Sequence, residues 1–247
     1  MAVDADFHDG LDQFRSALAW WGNWTPREGE WPTSSITGGG AIRCLERELG
    51  ERLGGIALAL PSGSAALWTG LRILGAGRRS AVSLPTARWF GDVALISAAG
   101  ARVAQLGERA EISMISPDDS VPSVMGARVV VDAANAVPSS YCRLREMPWS
   151  ALALSFGPGK PIDAGEGGAL IVRERDLFLS ALRLTQHPVR QRLTGLTGAH
   201  CEALQERINP MAALVALHHL CAPVNTAESL GLPLFSKLEG GDENEFL

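Results

Sequence analysis

Two apolar runs, Ala151 to Ser155 and Ala169 to Val172, enclose a turn of glycines and prolines that carries one lysine, Lys160. Short apolar runs bounded by such residues read as buried strands. A lysine between two buried strands narrows the choices. Lysine is rarely buried without a task, and a desolvated lysine has a lowered pKa and forms Schiff bases. Two other uses compete: phosphate binding in a P-loop, and plain solvent exposure. The P-loop fails, because no G-x-x-x-x-G-K-S/T precedes Lys160 and Pro161 follows it. Exposure stays open at this point. Against it, the chain holds only two lysines, Lys160 and Lys237, and arginine does the other basic work.

Bulk properties exclude several classes. The 247 residues suffice for one large domain, or one domain and a small one. A net charge of −5 argues against a nucleic-acid partner, which calls for a basic stripe. The four cysteines (Cys44, Cys142, Cys201 and Cys221) never stand at C-x-x-C spacing, so no zinc ribbon or redox dithiol is indicated. The start M-A-V-D-A-D does not read as a signal peptide, and a cytoplasmic location is expected. The longest apolar region, 56 to 76, is broken by Pro61, Ser62, Ser64 and Arg72, so it reads as strand, turn and helix and not as a membrane span.

Taken in order, residues 8 to 21 have helical spacing, and 22 to 37 read as an extended arm; four of the chain's seven tryptophans lie between 20 and 31. That arm either packs on its own domain or covers a neighbouring subunit. Ile42, Leu45, Leu49 and Leu53 predict a helix that Gly54-Gly55 ends. Ile56 to Leu60 is a strand. It runs into P-S-G-S-A-A-L, a turn opening a helix whose free N–H groups suit an anion. An ordinary Ser N-cap reads the same way. Strands are expected at 81–84, 101–106 and 128–131, and a helix over 88–99. The polar span 107–127 offers at most a weak strand at Ile112 to Ile115. Asp132 ends a buried run, where open α/β sheets place their ligands; a helix N-cap is the plainer reading. Helices are expected over 174–187 and 198–220, with Pro210 as a kink or break. His218 and His219 point to different helix faces and lack a third ligand, which argues against a metal. The alternation predicts an α/β, three-layer αβα sandwich with a mostly parallel sheet.

Three signals then fit one chemistry: an anion-suited helix start around Ser62, Gly63, Ser64 and Ala65, an acid at Asp132, and Lys160. Pyridoxal 5'-phosphate (PLP) calls for a phosphate cradle, a carboxylate at the pyridine nitrogen and a lysine at the aldehyde. An aromatic face is available in Trp89.

At this level of detail the chain resembles the DegT/DnrJ-type sugar aminotransferases, a family of fold-type-I PLP enzymes. R-C-L-E-R-E-L-G resembles the helix before the family's first strand. P-S-G-S-A-A-L resembles its S-G-T-A-A-L turn, V-D-A-A-N-A its E-D-A-A-Q-A segment, and S-F-G-P-G-K…G-E-G-G-A-L its lysine segment. Order and spacing agree from about residue 38 to 220. The resemblance implies a PLP-binding large domain over 38–222, preceded by a helix and Trp-rich arm (1–37) and followed by a truncated tail (223–247). It implies that Lys160 forms the Schiff base and moves protons at the substrate Cα, and that Asp132 pairs with the ring nitrogen. It places Asn135 near the ring hydroxyl, Trp89 on the ring face, and Ser64, Ala65 and Ser155 on the phosphate. It also implies a homodimer with shared sites. Gln205 and Arg207 are candidates for the reach into the partner's phosphate. The chain is shorter than usual members: it lacks most of a strand-helix segment between Leu106 and Arg128, and the C-terminal small domain that supplies substrate contacts. The implied function is an aminotransferase acting on an amine or amino acid in small-molecule biosynthesis. The alternatives are a PLP-dependent lyase, racemase or decarboxylase, and a degenerate relative serving as a binding or regulatory partner.

Overall fold

The computed structural model describes residues 40–84, 89–117, 128–196 and 208–221. The N-terminal helix and arm expected over 1–37, and the tail after 222, lie outside these residues. Seven strands form one sheet: β1 (Ile56–Leu60), β2 (Ala81–Ser83), β3 (Arg102–Val103), β4 (Ile112–Ile115), β5 (Arg128–Asp132), β6 (Ala151–Ser155) and β7 (Gly168–Val172). Their order is β1-β7-β6-β5-β4-β2-β3. From β6 to β3 every pairing is parallel, while β7 runs antiparallel to both β6 and β1. The antiparallel β7 follows from its connection. The Lys160 turn returns the chain directly beside β6, with no crossover helix between them, so the strand must reverse.

Helices cover both faces. Strand side chains alternate between two cores. Val129 and Val131 face one core, together with α1 (Ala41–Leu53), α4 (Tyr141–Glu146) and α7 (Pro210–Cys221). Val130 faces the other, with α2 (Gly63–Ile73), α3 (Gly91–Ala98) and α5 (Arg175–Thr185). α1 forms for the reasons its sequence gives. Ile42, Leu45, Leu49 and Leu53 are all buried on one stripe, and Gly54 ends the helix in the left-handed region at φ 71°. The expected three-layer αβα architecture is therefore present.

The differences are local. Ile112–Ile115, expected as a weak strand at most, is buried throughout and sits between β2 and β5. Its buried Ser113 and its polar flanks weaken the pattern in the sequence. The strand expected over 101–106 shrinks to Arg102–Val103 at the sheet edge, and Leu106 is fully exposed. The helix expected over 88–99 spans Gly91–Ala98 among the described residues. Two short helices were not anticipated, α4 and α6 (Pro188–Leu193). Each is too short to show a periodic stripe. Pro210 starts α7, and the Asn209 side chain accepts the Met211 N–H at 2.9 Å ahead of its first turn.

Candidate functional site

Three chain segments converge at the carboxyl ends of β5 and β6. β5 delivers Asp132, and the turn after it delivers Asn135. β6 ends on Ser155 and leads to Lys160. α2 begins beside both. Gly63, Ser64, Leu67, Trp89, Leu95, Asp132, Ala134, Asn135, Ser155 and Lys160 line one cleft of about 190 Å³. Seven of the ten site residues expected from the sequence stand there: Gly63, Ser64, Trp89, Asp132, Asn135, Ser155 and Lys160. Ser62, the N-cap of α2, and Ala65, in its first turn, adjoin these residues in the chain. Gln205, like Arg207, lies outside the described residues. A larger, open groove of 650 Å³ lies along α1, β1 and Arg145, and contains none of these residues.

The start of α2 is built by close backbone approach. Ser62 is the N-cap, extended at φ −161°, and its Oγ accepts the Ala65 N–H at 3.0 Å. That bond engages the Ala65 amide. The amides of Gly63 and Ser64, the first two helical positions, have no acceptor within the helix. A Cβ on Gly63 would stand 2.6 Å from the Ser155 Cβ, and one on Gly168 would stand 2.5 Å from the Ser62 carbonyl carbon. Glycine at both places lets the helix N-terminus sit directly on the ends of β6 and β7. The helix dipole then adds positive potential at the cleft wall, where Gly63 and Ser64 stand.

The acid and the amine line the same cleft. Asp132 is half-buried. Its Oδ1 accepts the Ala134 N–H at 3.0 Å, which shapes the turn after β5. Burial pushes the Asp132 carboxyl above its usual range; the Ala134 N–H and the positive Lys160 pull against that shift. Lys160 Nζ donates to Asn135 Oδ1 at 2.9 Å. Trp89 is about half exposed (48%) at the cleft edge, with its ring lying against Gly91 at the start of α3. The sequence did not single out Leu67 and Leu95 as site residues. They supply the apolar part of the lining, and ordinary helix periodicity conceals that use.

The cleft thus combines an anion-suited helix start, a half-buried carboxylate and a lysine held by the Asn135 side-chain amide. The sequence model of the DegT/DnrJ/EryC1/StrS aminotransferase family matches this chain over residues 30–121 and 106–225. The chain belongs to that family. Its fold is the large domain of fold-type-I PLP-dependent transferases. Solved structures agree on the fold. A DegT/DnrJ/EryC1/StrS aminotransferase from Brucella abortus is 18% identical, with a TM-score of 0.60, over 89% of this chain and 66% of that one. For 3-amino-5-hydroxybenzoic acid synthase the figures are 19%, 0.59, 85% and 61%. For NtdA from Bacillus subtilis, solved with bound PMP, they are 14%, 0.62, 86% and 53%. The chain thus spans between about half and two thirds of the length of these relatives. No curated protein matches it.

Proposed function

We propose that the chain is a PLP-dependent aminotransferase-like enzyme that acts on an amine or amino-acid substrate in small-molecule biosynthesis. One observation carries this reading: Lys160, Asp132 and the first residues of α2, Gly63 and Ser64, line a single cleft. The donor set fits the cofactor. A helix N-terminus with nearby hydroxyls suits a phosphate, a half-buried carboxylate suits a protonated ring nitrogen, and glycines at 63 and 168 keep the cradle narrow. When bound, PLP supplies an electron sink that labilises the bonds at the substrate Cα.

The chain's own residues then divide the work. The amides of Gly63 and Ser64, with the hydroxyls of Ser64 and Ser155, hold the phosphate at the positive end of α2. Asp132 would accept the ring N–H. Its pKa is raised by partial burial, and a protonated ring nitrogen would supply a counter-charge. The Trp89 indole would cover one ring face. Asn135, whose Oδ1 accepts from Lys160 Nζ at 2.9 Å, would stand near the ring hydroxyl. Lys160 would hold the cofactor through Nζ, and the same amine would carry the proton to and from the substrate Cα. The functional unit is a homodimer, located in the cytoplasm, in which Gln205 reaches the partner's phosphate. The large domain covers 38–222. No described helix is long and apolar enough to cross a membrane.

Purified full-length protein given PLP is expected to be yellow. Borohydride should fix the cofactor on Lys160, and Lys160→Ala should lose the band completely. A colourless wild-type protein after PLP addition would refute the reading. A yellow protein that converts no amine in a broad donor screen would favour a binding or regulatory role over catalysis. A monomeric mass in solution would exclude shared sites.

A further inference from the structure

The lysine turn contains a carboxylate that neither the cleft nor the core accounts for. Asp163 Oδ2 accepts the Gly159 N–H at 2.7 Å, and its Oδ1 accepts the Gly165 N–H at 2.9 Å. The two glycines flank Lys160 and Asp163 in the chain. Both take left-handed backbone, at φ 73° and 76°, and both point their missing side chains into open space. Neither glycine is therefore placed by packing. The neighbours on each side are anchored: Ile162 and Phe156 are buried in the core, and the Ala164 N–H donates to the Phe156 carbonyl at 2.9 Å. The Lys160 N–H has only the Gly157 carbonyl, at 3.2 Å. The segment carrying Lys160 is thus fixed to its anchored neighbours largely through one side chain. A carboxylate suits this task, because each of its oxygens takes one amide. An asparagine offers one oxygen and turns an N–H₂ toward the second amide.

We propose that Asp163 is the positioning residue of the Lys160 turn. Its carboxylate bridges the glycine amides before and after the lysine. This sets where the Lys160 Cα stands, and so whether Nζ reaches the cleft at Asn135. The role of the bridge in cofactor capture rests on the proposed reading of Lys160 as the amine that binds PLP. The bridge itself does not rest on it.

The experiment compares full-length wild type, Asp163→Ala and Asp163→Asn. Amide hydrogen exchange is followed without added cofactor, and PLP uptake is followed by borohydride fixation and peptide mapping. In Asp163→Ala, the Gly159 and Gly165 amides should exchange about tenfold faster or more, while β6 and β7 keep wild-type protection. In Asp163→Asn, one of the two amides should accelerate and the other should not. PLP should label Lys160 at least about tenfold less tightly in Asp163→Ala, with Asp163→Asn between it and wild type. Unchanged exchange at both glycines, or loss of protection along β6 and β7 as well, would overturn the proposal. So would wild-type PLP affinity in Asp163→Ala. If wild type takes up no PLP, the functional reading fails, and the exchange rates alone then decide the bridge.

Discussion

At the scale of single residues, the site couples function to instability. Asp132 ends a buried strand, and its carboxyl is pushed up chiefly by burial. A carboxyl raised in the folded state makes the fold favour the protonated form. Its contribution to stability is present at acidic pH and is lost as pH rises through the folded value. Asp132→Asn should therefore make the cofactor-free protein more stable than wild type at pH 8. The gain should shrink toward acid, and urea unfolding at several pH values reads it directly. On the proposed reading of Asp132 as the partner of the ring nitrogen, the same variant should bind PLP more weakly. Opposite signs for stability and binding are the signature of a residue kept for its chemistry. Asp132, Asn135 and Lys160 were all legible in the sequence, since each belongs to a motif whose spacing is characteristic. The roles of Gly63 and Gly168 were not. Their need for glycine comes from Ser155 and Ser62, which meet them only in three dimensions.

At the scale of elements, α1 protects the open edge of the sheet. β1 is an edge strand, and such strands invite pairing with other chains. Glu46 of α1 accepts the Ala59 N–H of β1 at 2.9 Å. Both its oxygens also accept Arg190 Nη2 of α6, at 2.7 and 2.6 Å. Arg190 is almost fully buried and donates in addition to Gln186 Oε1 at 2.9 Å. Removing one partner of a buried pair leaves the other charge uncompensated. Glu46→Ala should cost about 3–5 kcal/mol of stability in urea unfolding. Replacing both Glu46 and Arg190 with leucine should cost clearly less than that single change, because no charge is then stranded. Nothing in the sequence near Glu46 hints at this pair, whose partners are 144 positions apart. The two-residue edge strand β3 and the buried β4 were misjudged for a related reason. The local pattern does not say whether a strand lies at the edge or at the centre of a sheet.

At the scale of the whole molecule, α7 joins the far end of the described chain to the site. It packs on the same sheet face as α1 and carries His218 and His219. Burial lowers the pKa of both imidazoles. For His219, the neighbouring His218 lowers it further, and Asp163 of the lysine turn pulls it back up. A histidine lowered in the folded state binds fewer protons there than in the unfolded chain. Stability should therefore fall as pH drops below about 6.5. The slope should not exceed about 1.4 kcal/mol per pH unit for each histidine. His219→Gln should flatten the fall between pH 7 and pH 5, as read by urea midpoints. An unchanged slope would place the acid sensitivity elsewhere.

What the sequence determined alone was most of the longer elements and the motifs they carry. Hydrophobic period, glycine stops and the spacing of motifs around Ser62, Asp132 and Lys160 are local quantities, and local physics sets them. What only the tertiary structure decided was placement. It reversed β7 beside β6, put β4 at the centre of the sheet, buried Glu46 against Arg190, and brought the start of α2 onto Ser155. Each of these depends on contacts between residues far apart in the chain, whose energies appear only once the layers close on one another.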